Sequence, residues 1–468
     1  MAPSYLISIL KKEKRGQMRQ EADIMIRNST VYTQDAVRSV LPQTDVAIRD
    51  GKIVAIGDLP RTQWSAKMTL DGTGKALFPG MQNLHVHAFQ SLMKGLGADK
   101  NLMAWLQAAP LRCGPPMTAE LYALGTKIAA MESLKCGVTT MGDFNYLQQN
   151  SEIPRASIET MEQVGIRGIY MDCYHDTGLE MGVHPSFIHP AEECIRRTDA
   201  LVQEYVNEQH PLVRVWAGAS VPWGTTEALY KAMVDYSNTT GIPYTMHVLE
   251  TEEDNNFTKE RFGKTVVQTM EDLGVLTDRL LAVHCVRLQE EEIPVFARHG
   301  VNVVYCPVSN AYLGSGIPKM ASMLKQGVNI TMGTDGAASN NSSDMIESLK
   351  FGLLLQKAET CSSVAMSAQN MLDFVTVNAA KATHRTDLGS IEVGKLADLF
   401  LFDPSYLRSS PDFDTMATLM YNASQENVEA TVVHGRLAYY KGDFACGLDE
   451  KQVAAEASEK MRAFLQRL

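Results

Sequence analysis

The sequence predicts an α/β fold: a (β/α)8 TIM barrel with a small composite β-sandwich domain formed from both chain ends. Two patterns and one bulk property predict it. Eight strand-like apolar runs alternate with helical patterns between residues 77 and 335, the grammar of a barrel whose chemistry gathers at the carboxyl ends of its strands. Short alternating β pieces lie on either side of that region and can pair with each other. A chain of 468 residues, 45% hydrophobic and 21% charged, is long enough for one large domain and a smaller one.

Residues 1–21 read as an N-terminal extension whose basic residues follow a short apolar patch, the reverse of a secretory signal. Residues 22–76 form the first part of the β-domain. Alternation is visible in Asp23-Ile24-Met25-Ile26, in Asp45-Val46-Ala47-Ile48 and in Lys52-Ile53-Val54-Ala55-Ile56-Gly57 after the Asp50-Gly51 hairpin turn. The barrel domain spans 77–385, with strand-like runs at 77–87, 138–143, 166–172, 213–220, 243–250, 280–286, 302–309 and 329–335. Between them lie helical patterns such as 119–135, with Thr118 as N-cap and Gly137 just past the end, and 288–299, closed by Gly300. Two more helices, 343–357 and 368–382, follow the last run. Residues 386–446 return to short β pieces, the second part of the β-domain, and 447–468 form a terminal amphipathic helix.

A net charge of -11 argues against nucleic acid or an anionic membrane surface as partner and leaves a small-molecule ligand. No apolar run approaches the roughly 20 residues of a membrane-spanning helix. The eight cysteines, Cys113, Cys136, Cys173, Cys194, Cys285, Cys306, Cys361 and Cys446, are scattered without CxxC pairs. That pattern suits reduced thiols in a cytoplasmic protein.

His85 and His87 end the first run, and positions i and i+2 of a strand share a face, so both imidazoles can hold one metal ion. His247 falls near the end of run five, His284 near the end of run six, and Asp335 is the last residue of run eight. A lone histidine at a strand end is more often structural than a ligand. Five candidates that coincide with strand ends, in a fold assigned from periodicity alone, are not dismissed that way. Three imidazoles and one carboxylate suit Zn2+ or Fe2+ with a position open for water. Such a cation lowers the pKa of its water from about 15.7 toward about 7, and Asp335 can take the proton.

Glu250 lies three residues after His247, so it reaches over that water only if the backbone turns at the strand end. Glu252, Glu253 and Asp254 read as solvated charges at a helix start. The remaining histidines keep a structural reading, and the loop 173–190, with three of them, reads as a solvent-exposed loop in preference to a rim of the pocket. Trp105 lies in an apolar segment, 88–117, that reads equally well as a pocket wall or as the packing face of a helix.

The set His85-Val86-His87, His247-Val248-Leu249-Glu250, His284-Cys285 and Gly333-Thr334-Asp335-Gly336-Ala337-Ala338-Ser339-Asn340-Asn341 resembles the metal-dependent amidohydrolase superfamily. It is most similar to the branch of cytosine and guanine deaminases, S-adenosylhomocysteine deaminases and triazine hydrolases (chlorohydrolases). Asp50-Gly51-Lys52-Ile53, Phe78-Pro79-Gly80-Met81 and Gly389-Ser390-Ile391-Glu392-Val393-Gly394-Lys395-Leu396-Ala397-Asp398-Leu399 match that family's β-domain, and the likeness runs from Ala22 to about Asp443. The resemblance implies one metal on His85, His87, His247 and Asp335, with His284 orienting the attacking oxygen. It makes Glu250 the group that protonates the substrate ring nitrogen and passes protons to the departing amine. Val215-Trp216-Ala217-Gly218-Ala219-Ser220 offers no bridging group for a second metal.

Ser309 and Asn310 lie in a segment similar to the substrate loop of adenosine-type deaminases and triazine hydrolases. The expected activity is hydrolytic deamination of an amino-substituted N-heterocycle: a purine or adenosine-like compound, a pterin, a pyrimidine or an aminotriazine. The alternatives are displacement of chloride or alkylamine from a triazine, and a non-catalytic barrel scaffold. Resemblance also implies a homo-oligomer. Two departures count against a nucleoside. Ser220-Val221-Pro222-Trp223-Gly224-Thr225 stands where such relatives carry Ala-Pro-His-Ala-Pro, and Ala109-Pro110-Leu111-Arg112 where they carry Trp-Pro-x-Glu.

Overall fold

A computed structural model of the chain describes residues 19–468. Most of the expected extension at 1–21 lies outside the described residues, and Gln20 and Glu21 already belong to the first strand of the β-domain. The barrel is an eight-stranded parallel sheet in sequence order, β1 Met81–Val86, β2 Val138–Asn145, β3 Arg167–Tyr174, β4 Val213–Ala219, β5 Tyr244–Val248, β6 Leu280–His284, β7 Asn302–Tyr305 and β8 Asn329–Met332. Almost every residue of these strands is buried, as expected of a parallel sheet covered on both faces. The seam between β8 and β1 is closed past the end of the ladder. There the Asp335 N–H donates to the His85 carbonyl (2.9 Å), and the Asn83 amide donates to the Thr334 hydroxyl (2.8 Å).

The run expected at 77–87 is two strands. Ala76–Pro79 belongs to the β-domain and is separated from β1 by Gly80, where a Cβ would fall 2.2 Å from the Thr139 hydroxyl. Ala76–Pro79 pairs antiparallel with Leu399–Phe402, Phe78 opposite Phe400, and this join ties both chain ends into one nine-stranded sheet. Both chain ends supply the composite β-domain, as expected. They form one continuous hydrogen-bonded sheet, whose buried face carries Ile24, Ile26, Val46, Leu77, Leu401 and Val432. The helix Ala119–Lys135 has its expected ends, with Thr118 accepting from the Leu121 N–H and Gly137 at φ 83°. The pattern at 368–382 is two helices, Ala368–Val375 and Val377–Ala382, broken at Thr376. The terminal helix spans Glu450–Leu465.

Barrel and β-domain are joined by a buried fork. The Arg167 guanidinium on β3 donates from Nε (2.9 Å) and Nη2 (3.0 Å) to the two oxygens of Asp398, and Asp398 Oδ1 also accepts from the His434 N–H. Both side chains are at most 3% exposed. Removing one partner leaves the other charge buried and alone, which costs about 3–5 kcal/mol, whereas replacing both by apolar groups costs far less. Asp398→Ala is therefore expected to lower the denaturant midpoint sharply, with Arg167→Met in the same chain recovering part of the loss. A midpoint unchanged by Asp398→Ala would show that the fork holds nothing.

Candidate active site

The five side chains expected at one rim do meet there. His85 is the fifth residue of β1, and His87 sits one residue beyond it, at the start of a 3-10 turn over Ala88–Leu92. His247 is in β5 and His284 ends β6. Asp335 was expected as the last residue of the eighth strand and lies three residues past β8, with φ 64°. Leu249 (φ 53°), His284 (φ 74°) and Cys285 (φ 51°) also have left-handed backbones. Non-glycine residues hold this strained region only where surroundings fix them, and such positions cluster at functional sites. The Leu249 turn is the bend that Glu250 required.

Ligand atoms of His85, His87 and His247 lie within 4.8 Å of one another, as do those of His85, His284 and Asp335. Asp335 Oδ1 is 3.3 Å from His85 Nε2 and 3.2 Å from His87 Nε2. The Phe144 ring packs beneath, with centroids 4.3 Å from His247 and 5.0 Å from His85. His87 Nδ1 donates to the Phe144 carbonyl (2.6 Å) and His247 Nδ1 to the Ser220 carbonyl (2.7 Å). Each ring is therefore held from Nδ1 with its Nε2 turned inward, the arrangement by which outer partners prepare metal-binding histidines. Both nitrogens of His85 are buried without a hydrogen-bond partner. A buried orphan imidazole among these donors is what a cation site needs, so the residues fit a divalent metal.

Burial lowers the pKa of His85 to about 4 and of His284 to about 3, and takes His247 well below its usual range, helped by its histidine neighbours. These imidazoles are neutral at pH 7 with lone pairs available. Burial pushes the Asp335 carboxyl up, but the His85 and His87 rings within 3.3 Å of it outweigh that and leave the carboxyl well below its ordinary range. The His284 Nδ1 accepts from the Asn310 amide (3.0 Å), which puts the proton on Nε2, 3.5 Å from Glu250 Oε2. Glu250 is 7% exposed and accepts from the Ser315 hydroxyl (3.2 Å). Burial, then repulsion from Asp335 and Asp254, raises its pKa well above the usual carboxylate range.

Over this cluster lies a cavity lined by Trp105, Tyr146, His175, Trp223, Glu250 and Leu313, among others. Trp105 is in the wall, held by its Nε1–H on the Ala338 carbonyl (3.0 Å). Ser309 and Asn310, expected as substrate contacts, are fully buried behind that wall. Ser309 bonds Ser339 (3.0 Å), and Asn310 fixes His284. Asp254, expected as a solvated charge, is 4% exposed and accepts from the Glu250 N–H (3.0 Å), bracing the turn that carries Glu250. Trp223 lies in the segment 220–225 set against a ligand-facing loop of relatives; sequence reasoning missed Tyr146 and gave no role to His175, 2% exposed, from the loop read as solvent-exposed or as pocket rim. Its position immediately after β3 was the available signal.

Gly333 sets the seam at the cation end. A Cβ there would lie 2.6 Å from His85 Cβ and 2.8 Å from its carbonyl oxygen. Gly333→Ala is expected to cost about 1–3 kcal/mol by overpacking and to weaken cation binding by moving Asp335 off His85. Unaltered stability and metal content would contradict that geometry.

The model of the Amidohydrolase family matches residues 76–438. A 5'-deoxyadenosine deaminase from Methanosarcina barkeri is 32% identical over 461 residues, covering 96% of this chain and 99% of that protein. A 5-methylthioadenosine/S-adenosylhomocysteine deaminase from Syntrophobacter fumaroxidans is 31% identical over 421 residues, 89% of this chain and 92% of that one. Among solved structures, an adenosine deaminase from Xanthomonas campestris with bound zinc superposes with a TM-score of 0.88 at 27% identity, covering 96% of this chain and 100% of that one. An atrazine chlorohydrolase from Arthrobacter aurescens with zinc, at 24% identity and TM-score 0.87 over 94% of this chain and 100% of that one, shares the fold.

Proposed function

Because the chain belongs to the amidohydrolase family, we propose that it hydrolyses the exocyclic C–N bond of an amino-substituted, electron-poor N-heterocycle, exchanging amino for hydroxyl and releasing ammonia. The observation that carries this reading is Glu250, a buried carboxyl of raised pKa beside a convergent set of neutral imidazoles. In this reading His85, His87, His247 and Asp335 hold one divalent cation per chain, Zn2+ in preference to Fe2+. The N3O donor set and the zinc in the Xanthomonas campestris deaminase support that choice. Once bound, the cation supplies a water acidified toward neutral pH.

Asp335 takes the proton of the attacking water. His284 orients that oxygen from Nε2, since Asn310 occupies its other nitrogen. Glu250 gives its proton to the ring nitrogen beside the amino-bearing carbon, so that electron density leaves the carbon as oxygen arrives. It then relays the proton held by Asp335 to the amine as the C–N bond breaks and regains its own from the newly added hydroxyl. Both carboxyls are thereby reset, and the sum is R–NH2 plus water giving R–OH, in its ring-N–H keto form, plus ammonia. Trp105 and its neighbours keep bulk water from the ring.

Among the described residues no helix is long and apolar enough to cross a membrane. The reading extends to a cytoplasmic location, supported by eight cysteines that form no disulfide, and to a homo-oligomer, which sedimentation reads directly. A coupled ammonia assay on adenosine-like compounds, pterins, cytosine and aminotriazines tests the reaction. Ammonia release from at least one supports it. Release of chloride or alkylamine from a triazine, with every amino compound intact, would overturn it in favour of the triazine-type displacement. No turnover of anything by metal-loaded protein would leave the barrel as a scaffold.

A further inference from the structure

The cavity that receives the substrate carries no Lys or Arg among its described lining residues. Its charged members are the acids Glu250, Asp254 and Asp335, and each already has a partner within the protein. A carboxylate or phosphate on the substituent, held away from the cation at the cavity floor, would lose its water and gain no counter-charge from the wall, a penalty far larger than any packing gain. The rest of the wall is aromatic and aliphatic, with Trp105, Tyr146 and Trp223 nearest in kind to a flat ring and its apolar substituent.

One polar side chain in that wall has no role in the cluster below. His175 leans on Trp223 (centroids 5.9 Å, 39°) and stands edge-on to Tyr146 (6.3 Å, 71°). Its Nδ1 is buried with no hydrogen-bond partner. The fold makes room for it: a Cβ on Gly224 would fall 2.5 Å from His175 Cδ2. Burial lowers its pKa to about 4, with the Tyr146 backbone pulling weakly the other way. The ring is therefore neutral in use, offering one N–H and one lone pair. A buried polar group left without a partner finds it in a ligand or water.

We propose that the substrate is an uncharged amino-heterocycle with an apolar substituent, and that His175 is the specificity residue that hydrogen-bonds it against the Trp223 and Tyr146 walls. This rests on the deaminase reading of the same site.

The test uses metal-loaded protein and two rings, adenine and amino-1,3,5-triazine, each carrying an ethyl or a carboxymethyl group at the same position. Ammonia release and calorimetric binding are both measured. The ethyl compound of the preferred ring is expected to bind and turn over with kcat/KM at least about 100-fold above its carboxymethyl partner, the difference lying in KM. His175→Phe is expected to raise KM for the ethyl compound about tenfold, with kcat and metal content unchanged, and His175→Gln to restore most of it. Equal binding of ethyl and carboxymethyl compounds would overturn the uncharged class. A fall in kcat and metal content at constant KM in His175→Phe would make His175 merely structural. Selective binding of the ethyl compounds without ammonia would refute the deaminase reading and leave this inference standing.

Discussion

Glu250→Gln is expected to lower kcat by about 10²–10⁴-fold while the protein keeps its full complement of metal. Glutamine has the shape of the carboxyl and can still meet the Ser315 hydroxyl and the His284 Nε2–H, so packing and the donor set below it are undisturbed. It cannot give up a proton to the ring nitrogen and recover one for the departing amine. The pH profile separates this role from a passive one. Burial raises the Glu250 pKa, so the donor form is present at neutral pH and is lost as pH rises through the raised value. Wild-type kcat should fall on the alkaline side, and the small residual rate of Glu250→Gln should lack that limb. A variant turning over an amino substrate at near wild-type rate would remove Glu250 from the chemistry.

His87→Ala is expected to fail earlier, in holding the metal. The ring is oriented by the Phe144 carbonyl and presents Nε2 3.2 Å from Asp335 Oδ1. Its loss removes one of three nitrogen donors and leaves the Phe144 carbonyl without that partner. Losing an outer partner of a metal ligand already costs 10–100-fold in affinity, and losing the ligand itself should cost more than about 100-fold. Elemental analysis after desalting should find His87→Ala depleted and inactive where Glu250→Gln is loaded and inactive. Full metal content in His87→Ala would mean that the donor set is drawn from other residues.

The positions of these two residues were legible in the chain, because strand ends locate candidate ligands once the alternation of strands and helices is recognised. The role expected of Glu250 came from the family resemblance. The helix Ala119–Lys135 is placed to the residue because its N-cap hydroxyl and its terminating glycine are local signals. Strand ends are not local. The expected runs overshoot the ladder at 243–250, where β5 stops at Val248 and Leu249 turns the chain, and at 329–335, where β8 stops at Met332 and Asp335 bonds across to the His85 carbonyl. The strand Trp64–Asp71 escaped notice because its middle residues Lys67, Met68 and Thr69 are exposed and show no apolar alternation, and only parallel pairing with Gln20–Tyr32 makes it a strand. Asp254 and His175 were misread for a shared reason. Each sits in a run of similar polar residues, and burial, which tertiary packing alone decides, singles it out.

The account depends on one cation held by side chains that start far apart in sequence and activating water for attack on a C–N bond. Elemental analysis of freshly purified protein, followed by chelation and readdition of Zn2+ or Fe2+ with ammonia release recorded at each stage, reads that directly. The expected result is about one equivalent of transition metal per chain, loss of ammonia release on chelation, and its return with the metal. Protein that holds no transition metal, or whose ammonia release is untouched by chelation, would contradict it.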